Sequence, residues 1–287
     1  MELRQLKYFL AIADEESISR AAEVMYVTQP NISRQMKSLE EEIGKPLFER
    51  GSRKITLTEA GKLLKKRAEE ILELYDKTES ELKADPEKVS GTVRIGGGES
   101  RAFALIARAI CAVQQQYPAV KFDIFSGDSQ TVSTRLDEGL IDFGIFIEPT
   151  DLSRYEFFRL PVEDRWGVLM RRDSPLAQRE CVTADDMKGL PLIRSRHSLA
   201  DRAISRLLGG NDGVVATYNL LYNASLLAES GVGYVVALEG LINTDGGALC
   251  FRPFEPEVKS GLNMAWKKYQ MFSHAAKVFM TQLKSMI

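Results

Sequence analysis

The sequence predicts an α + α/β chain: an all-helical N-terminal part carrying one short hairpin, then a larger part of alternating strands and helices. Three observations carry that prediction. Apolar residues recur at helical spacing through the first eighty or so residues. A turn, Arg50-Gly51-Ser52-Arg53, separates two short apolar runs. From Thr92 onward, short β-branched runs alternate with helical stretches, the pattern of parallel βαβ units. At 287 residues the chain is long enough for two or three domains with well-buried cores.

Leu3, Leu6, Phe9, Leu10 and Ala13 give a first amphipathic helix. Ser17 is placed to cap a second, whose apolar stripe is Ile18, Ala21, Ala22 and Met25. Thr28 is placed to cap a third, with Pro30 in its first turn, where a missing N–H costs little. The buried stripe of this helix is Ile32, Met36, Leu39 and Ile43, and Gly44 offers a left-handed stop. Leu47-Phe48 and residues 55–57 then flank the hairpin turn. Thr58 can cap a long fourth helix, with Glu59 near its positive end. Along it, Ala68, Ile71, Tyr75, Thr78 and Leu82 form a seam repeating near 3.5 residues. Such a seam buries itself against another helix, in a second copy or in the same chain; the many charges around it favour the second copy. Asp85-Pro86 ends the helix, and residues 86–91 read as a hinge.

The α/β part begins with strands at 92–96, 120–126 and 142–147, separated by helices at 102–116 and 131–138. A second set follows, with strands at 166–170, 214–218 and 234–238 and helices at 199–208 and 220–229. A strand at 263–266 and a helix near 273–286 close the chain. Two lobes joined by crossover strands near residues 160 and 264 fit this order. The predicted division is 1–58, a linker helix and hinge at 59–90, and 91–287; lobe I is 91–161 plus 265–287, lobe II 162–264.

Composition excludes several classes. No apolar run approaches the length of a membrane span, and Glu2, Arg4 and Lys7 interrupt any signal peptide, so the expected location is cytoplasmic. Cys111, Cys181 and Cys250 are widely spaced, with His197 and His274 the only histidines, so neither a metal site nor a Ser/His triad is expected. A GxGxxG fingerprint starting at Gly96 fails because Arg101 occupies its last glycine. No nucleophile, base and orienter can be assembled, so an enzyme is not expected. Net charge is −2, and in the first sixty residues nine basic groups face ten acidic ones. Nucleic-acid binding must therefore rest on where charges sit.

The third helix supplies such a placement. Its buried stripe turns Pro30, Arg34, Lys37 and Glu41 outward, with Asn31, Ser33 and Ser38 beside them. Gln29, Asn31, Ser33, Arg34 and Lys37 are the short polar and forked cationic side chains that read base edges or clamp phosphates in a major groove. Arg50, Arg53 and Lys54 at the hairpin could touch flanking phosphates or the minor groove, and Arg20 on the second helix likewise. Periodicity alone fits equally well a solvated face on an ordinary helical domain.

The run from Ser17-Ile18-Ser19-Arg20-Ala21-Ala22 to Val27-Thr28-Gln29-Pro30-Asn31-Ile32-Ser33-Arg34-Gln35-Met36-Lys37-Ser38-Leu39-Glu40 closely resembles the LysR-type transcriptional regulators. So do Gly44-Lys45-Pro46-Leu47-Phe48-Glu49-Arg50 and Leu57-Thr58-Glu59-Ala60-Gly61. Gly91-Thr92-Val93-Arg94-Ile95-Gly96, Tyr117-Pro118, the stretch 136–142, Pro175-Leu176-Ala177 and Gly231-Val232-Gly233 are similar to later family landmarks. The resemblance implies a winged helix-turn-helix that binds a double-stranded DNA operator, with Thr28 among its contacts. It also implies a linker helix that pairs two chains, and a two-lobed effector domain like periplasmic binding proteins. The family often assembles as tetramers. Departures are Ser174, where many members carry histidine, and Gly96-Gly97-Gly98-Glu99, an unusually glycine-rich first loop.

Ligands in open α/β sheets sit beyond the carboxyl ends of strands. That rule selects Gly98, Glu99, Ser100 and Arg101 after the first strand, and Gly127, Asp128, Ser129 and Gln130 after the second. Arg194, Ser195 and Arg196 follow Leu192-Ile193 in the second lobe. By resemblance, Ser100 and Ser129 fall near family effector contacts. Arg101, Arg194 and Arg196 suit a carboxylate or phosphate; Glu99 and Asp128 suit a cation or hydroxyls, and the sequence does not choose. The expected ligand is a small-molecule effector of unknown identity, with no other cofactor. The alternatives are a solute-binding protein on the same two-lobe fold and a ligand-independent DNA-binding protein.

Overall fold

Leu6, Phe9 and Ile12, three residues apart on one helical face, are almost wholly buried in α1 (Leu3–Glu15). Burying Phe9 alone contributes about 2–3 kcal/mol. Gln5 shares the buried face because its side chain accepts the Glu2 N–H at 2.8 Å. The computed structural model describes residues 1–50, 54–82, 89–196, 202–209 and 213–287. Two units divide it, Met1–Lys83 and Ala84–Ile287. Half of the predicted hinge, residues 86–88, and part of the helix predicted at 199–208 lie outside the described residues.

In the first unit, Ser17 caps α2 (Ile18–Val24) by accepting the Arg20 N–H. Tyr26, left-handed at φ 53°, makes the turn into α3 (Gln29–Ile43). Thr28 stands at the cap position, but its hydroxyl makes no capping bond; only its carbonyl enters the helix, accepting from Ile32 at 3.2 Å. Ile32, Met36 and Leu39 enter the core as predicted, whereas Ile43 is exposed. The helix stops at Ile43, and its last turn passes beyond the core that α1 and α2 supply. Gly44, at φ 73°, ends the helix with its N–H on the Glu40 carbonyl. The Glu40 carboxylate accepts the N–H groups of Leu47 and Phe48 at 2.7 and 3.3 Å. A residue that reads as one of three surface acids thus fixes the entry to the hairpin.

The hairpin pairs β1 (Phe48–Arg50) with β2 (Ile55–Leu57), antiparallel. Thr58 then caps α4 (Glu59–Leu82): its hydroxyl accepts the Gly61 N–H at 3.0 Å and donates to the Pro46 carbonyl at 2.8 Å. The predicted α4 seam is split. Ala68 is fully buried in the first unit's own core, while Ile71, Tyr75, Thr78 and Leu82 face solvent. Leu63 and Leu74, which the 3.5-residue seam skipped, are more exposed than Ile71.

The second unit is built on one nine-stranded sheet. In lobe I, β3 (Gly91–Gly97) lies parallel between β4 (Val120–Ser126) and β5 (Phe143–Ile147). Helices α5 (Phe103–Gln116) and α6 (Ser129–Asp137) connect them. Gly96 and Gly97 belong to β3 rather than to a loop, and side chains packed on the sheet crowd Gly96: a Cβ there would stand 2.7 Å from the Ile141 Cδ1. Lobe II contains β7 (Leu192–Ser195), α7 (Arg202–Leu207), β8 (Val214–Tyr218), α8 (Leu221–Glu229) and β9 (Tyr234–Leu238).

The lobes share two long strands, β6 (Tyr155–Arg171) and β11 (Lys259–Lys267). β6 pairs with β11 along its first part and with β9 along its second, and β10 (Leu249–Pro253) lies against its end. A register shift between Gly261 and Leu262 marks where the pairing passes between lobes. The last helix, α9 (His274–Lys284), returns to lobe I and places Ala275, Ala276, Phe279 and Leu283 in its core.

Asp164 lies in β6 beside that shift and is buried, and its Oδ2 has no hydrogen-bond partner. Burial outweighs the nearby polar groups of Ser100, Arg101 and Ala102, which favour the ionised form, and holds its carboxyl above the usual range. A raised carboxyl pKa stabilises the fold below the unfolded value, and that stability is lost as pH rises through the folded value. Asp164→Asn is therefore expected to flatten the decline of the melting temperature from pH 4 upward. A wild-type slope unchanged in the variant counts against this account.

Candidate nucleic-acid interface and effector cleft

The first unit presents α3 with Gln29, Pro30, Asn31, Arg34 and Lys37 exposed and Ser33 half-buried. This is the outward row that the helical spacing predicts. Gln29 is oriented by the Ser19 hydroxyl, which donates to its Oε1 at 3.3 Å. Lys37 stands 3.6 Å from Glu41 in a solvated pair of little energetic weight. Arg20 is exposed on α2. Lys54 is engaged rather than free: its ammonium pairs with the Glu16 carboxylate and holds that carboxyl below the usual range, while the Ile55 N–H donates to the Glu16 carbonyl at 3.1 Å. Glu16 thus ties the hairpin to the end of α1. Arg50 ends β1, and Arg53 lies outside the described residues.

Tyr26 is the residue of this face that sequence reasoning missed. It is 96% exposed, immediately before α3. Its signal was positional: a bulky aromatic in a tight turn that only a left-handed backbone can make.

In the second unit, a cleft between the lobes has about 630 Å³ of void, its open mouth included. Gly98, Glu99, Gly127, Asp128 and Ser129 line it from lobe I, and Ser195 and Arg196 from lobe II. Among the described residues, two polar contacts cross it. The Leu221 N–H at the start of α8 donates to Glu99 Oε2 at 2.5 Å, and Arg196 reaches Asp128 Oδ2 at 3.4 Å. Asp128 also caps α6 through the N–H and hydroxyl of Thr131, at 2.9 and 2.6 Å. These bonds, with the Arg196 charge behind them, hold its carboxyl below the usual range.

Four of the selected residues stand outside the cleft lining. Ser100 is buried and turns back to accept the Ala102 N–H at 2.9 Å. Arg101 lies in a separate polar depression with Glu239 and Gly240. Gln130 is exposed on the first turn of α6. Arg194 belongs to β7 rather than to a loop after it, so it and Ser195 take opposite faces. Ser195 meets the cleft; Arg194 is fully buried, with its guanidinium 3.2 Å from the Ser205 hydroxyl.

Tyr218, Asn219, Trp166 and Leu241 also line the cleft and were not selected. Tyr218 and Asn219 follow from the rule already used, applied to the end of β8. Burial pushes the Tyr218 hydroxyl up, and it donates to the Val236 carbonyl at 2.8 Å. Among the described residues, no helix is long and apolar enough to cross a membrane.

Comparison with known proteins agrees with both halves. Residues 3–62 match the bacterial regulatory helix-turn-helix family model of the lysR family, and residues 86–287 match the LysR substrate binding domain. The chain belongs to the LysR family of DNA-binding transcriptional regulators, each with an effector-binding domain. The helix-turn-helix match sets aside a solute-binding protein on the two-lobe fold alone. It is 27% identical over 280 residues to the uncharacterized HTH-type transcriptional regulator YfeR of Shigella flexneri, covering 96% of this chain and 91% of that one. It is 28% identical over 245 residues to the HTH-type transcriptional activator IlvY of Salmonella typhimurium, covering 80% and 83%. In fold it is similar to CbnR, a LysR family transcriptional regulator, with a TM-score of 0.78 at 20% identity over 100% of this chain and 99% of that one. CbnR has also been solved in full length with its target DNA, at a TM-score of 0.77, 20% identity and complete coverage of both chains.

Proposed function

We propose that this chain is a cytoplasmic, ligand-responsive regulator, without enzymatic activity, that places two α3 helices on an inverted-repeat operator. The observation that carries the reading is the solvent-facing polar row of α3 from Gln29 to Lys37. The solved complex of the fold relative CbnR with its target DNA supports it. A small molecule enters the cleft between the lobes, and its differential affinity for two arrangements shifts the balance between them. No cofactor beyond this effector is proposed. Mapping of bound sites across the genome tests the reading. Discrete sites with two half-sites about one helical turn or its multiples apart are expected. Uniform coverage would favour a ligand-independent DNA-binding protein.

Pairing of two chains falls to α4, where Leu63, Ile71, Leu74 and Leu82 are large, apolar and exposed. Apolar residues at this spacing bury themselves against a second helix, and a homodimer supplies one; a homotetramer needs a further interface. Ile71→Glu with Leu74→Glu is expected to convert dimer to monomer in analytical ultracentrifugation and to weaken operator binding with it. A double variant that still sediments as the wild type would move the interface away from this row.

A further inference from the structure

The effector cleft sets opposite charges on its two walls. Lobe I supplies the carboxylates of Glu99 and Asp128; lobe II supplies the Arg196 guanidinium and the Leu221 N–H at the positive end of α8. Each carboxylate meets a donor across the gap, Glu99 with Leu221 at 2.5 Å and Asp128 with Arg196 at 3.4 Å. Between them the wall is apolar, with Ile145, Phe146, Trp166, Leu238 and Leu241. The Tyr218 hydroxyl is already engaged by the Val236 carbonyl. Selectivity therefore falls to the charged groups, with Ser129 and Asn219 offering neutral hydrogen bonds.

A molecule entering between the lobes parts both pairs. Parting leaves two carboxylates on one wall and two positive donors on the other, in a site that the ligand has dried. A hydrocarbon would leave all four without partners, the costly case for buried polar and charged groups. An anion would satisfy Arg196 and the start of α8 but stand against both carboxylates. A cation would satisfy the carboxylates and abandon the donors. A molecule carrying both signs compensates both walls at once.

We infer that the effector is a small amphoteric molecule, an amino acid or a close chemical relative. Its ammonium group meets Glu99 and Asp128, its carboxylate meets Arg196 and the start of α8, and its apolar body rests on Phe146 and Trp166. This inference rests on the reading of the cleft as the effector site.

Calorimetric titration of the full chain with each proteinogenic L-amino acid tests it. For each binder, the amine-free acid and the carboxylate-free amine of the same skeleton are titrated alongside, as 3-phenylpropanoate and phenethylamine are for phenylalanine. At least one amino acid is expected to bind saturably, and at least about tenfold more tightly than either counterpart. Glu99→Gln is expected to weaken that amino acid about tenfold and to leave the amine-free acid unchanged or tighter. Ser129→Trp, which fills the cleft, is expected to remove binding. No saturable binding by any amino acid, or equal binding by the amine-free acid, overturns the amphoteric assignment and leaves the cleft as an effector site. A probe that binds wild type and Ser129→Trp alike sits elsewhere, and that result overturns the reading of the cleft itself.

Discussion

Operator binding is expected to fall by at least about 10³-fold when Arg34 and Lys37 are both replaced by alanine, while the fold survives. Both side chains stand in solvent on the outward row of α3. A forked contact to a base edge contributes about 1–3 kcal/mol, and a phosphate contact contributes counterion release. A dimer loses four such side chains at once, so the effects compound. Stability hardly changes, because the one ion pair lost, Lys37 with Glu41, is exposed on both sides. Mobility-shift titration at several salt concentrations reads the loss, together with a shallower salt dependence. A melting curve within about 2 °C of wild type excludes unfolding. Retained operator binding by this folded double variant would sink the assignment of α3 as the reading element.

A single methyl group at Gly61 is expected to unfold the N-terminal unit at temperatures the wild type tolerates. In an ordinary helix interior, Gly→Ala stabilises by up to about 1 kcal/mol. Here the added Cβ would stand 2.1 Å from the Leu47 carbonyl oxygen and 3.1 Å from the Leu57 Cδ2. Backbone cannot yield as a side-chain tip can, and Leu47 is held twice. Its side chain is buried in the core, and its N–H is bound by Glu40. Relief means displacing the hairpin from α4. The cost is about 3 kcal/mol or more, at the upper end for overpacking, which lowers the midpoint of a unit this size by about 10–20 °C. Gly44→Ala is the control: it sits at φ 73° with nothing within 4 Å of the added atom, so it carries only the left-handed penalty of about 1 kcal/mol. Calorimetry separates the two, and equal midpoints for both variants would refute the steric account.

The two variants also mark what can be read from sequence. The outward row of α3 was legible because one face of an amphipathic helix fixes the other. The contact at Gly61 was not, since it joins residues fourteen positions apart through backbone. The same limit governed the second unit. Strands β3, β4 and β5 announce themselves as apolar runs, whereas β6 reads only as a strand at 166–170 and a crossover near residue 160, not as one strand from Tyr155 to Arg171. Its first half carries exposed Glu156, Arg159 and Glu163, and Pro161 beside the register shift breaks the alternation. β10 was missed because Arg252 and Pro253 end it, although its partner, Gly167–Arg171, is the part of β6 that the sequence announces. At the cleft, the strand-end rule found Glu99, Asp128 and Arg196. It could not tell that Arg194, one residue before the cleft-facing Ser195, faces α7. A period of two reverses with one residue's error in where a strand ends.

The route of the chain through β6 and β11 also decides when the second unit can exist. Lobe I is begun at β3, interrupted by the whole of lobe II, and finished by α9, whose Ala275, Ala276, Phe279 and Leu283 fill the centre of its core. During synthesis its early strands emerge from the ribosome long before the residues that cover them. The N-terminal unit, complete by residue 83, can fold first and alone. A premature stop before codon 275 would therefore do more than trim a surface: it would leave a nascent regulator with a formed DNA-reading head and a sensor that never closes its core.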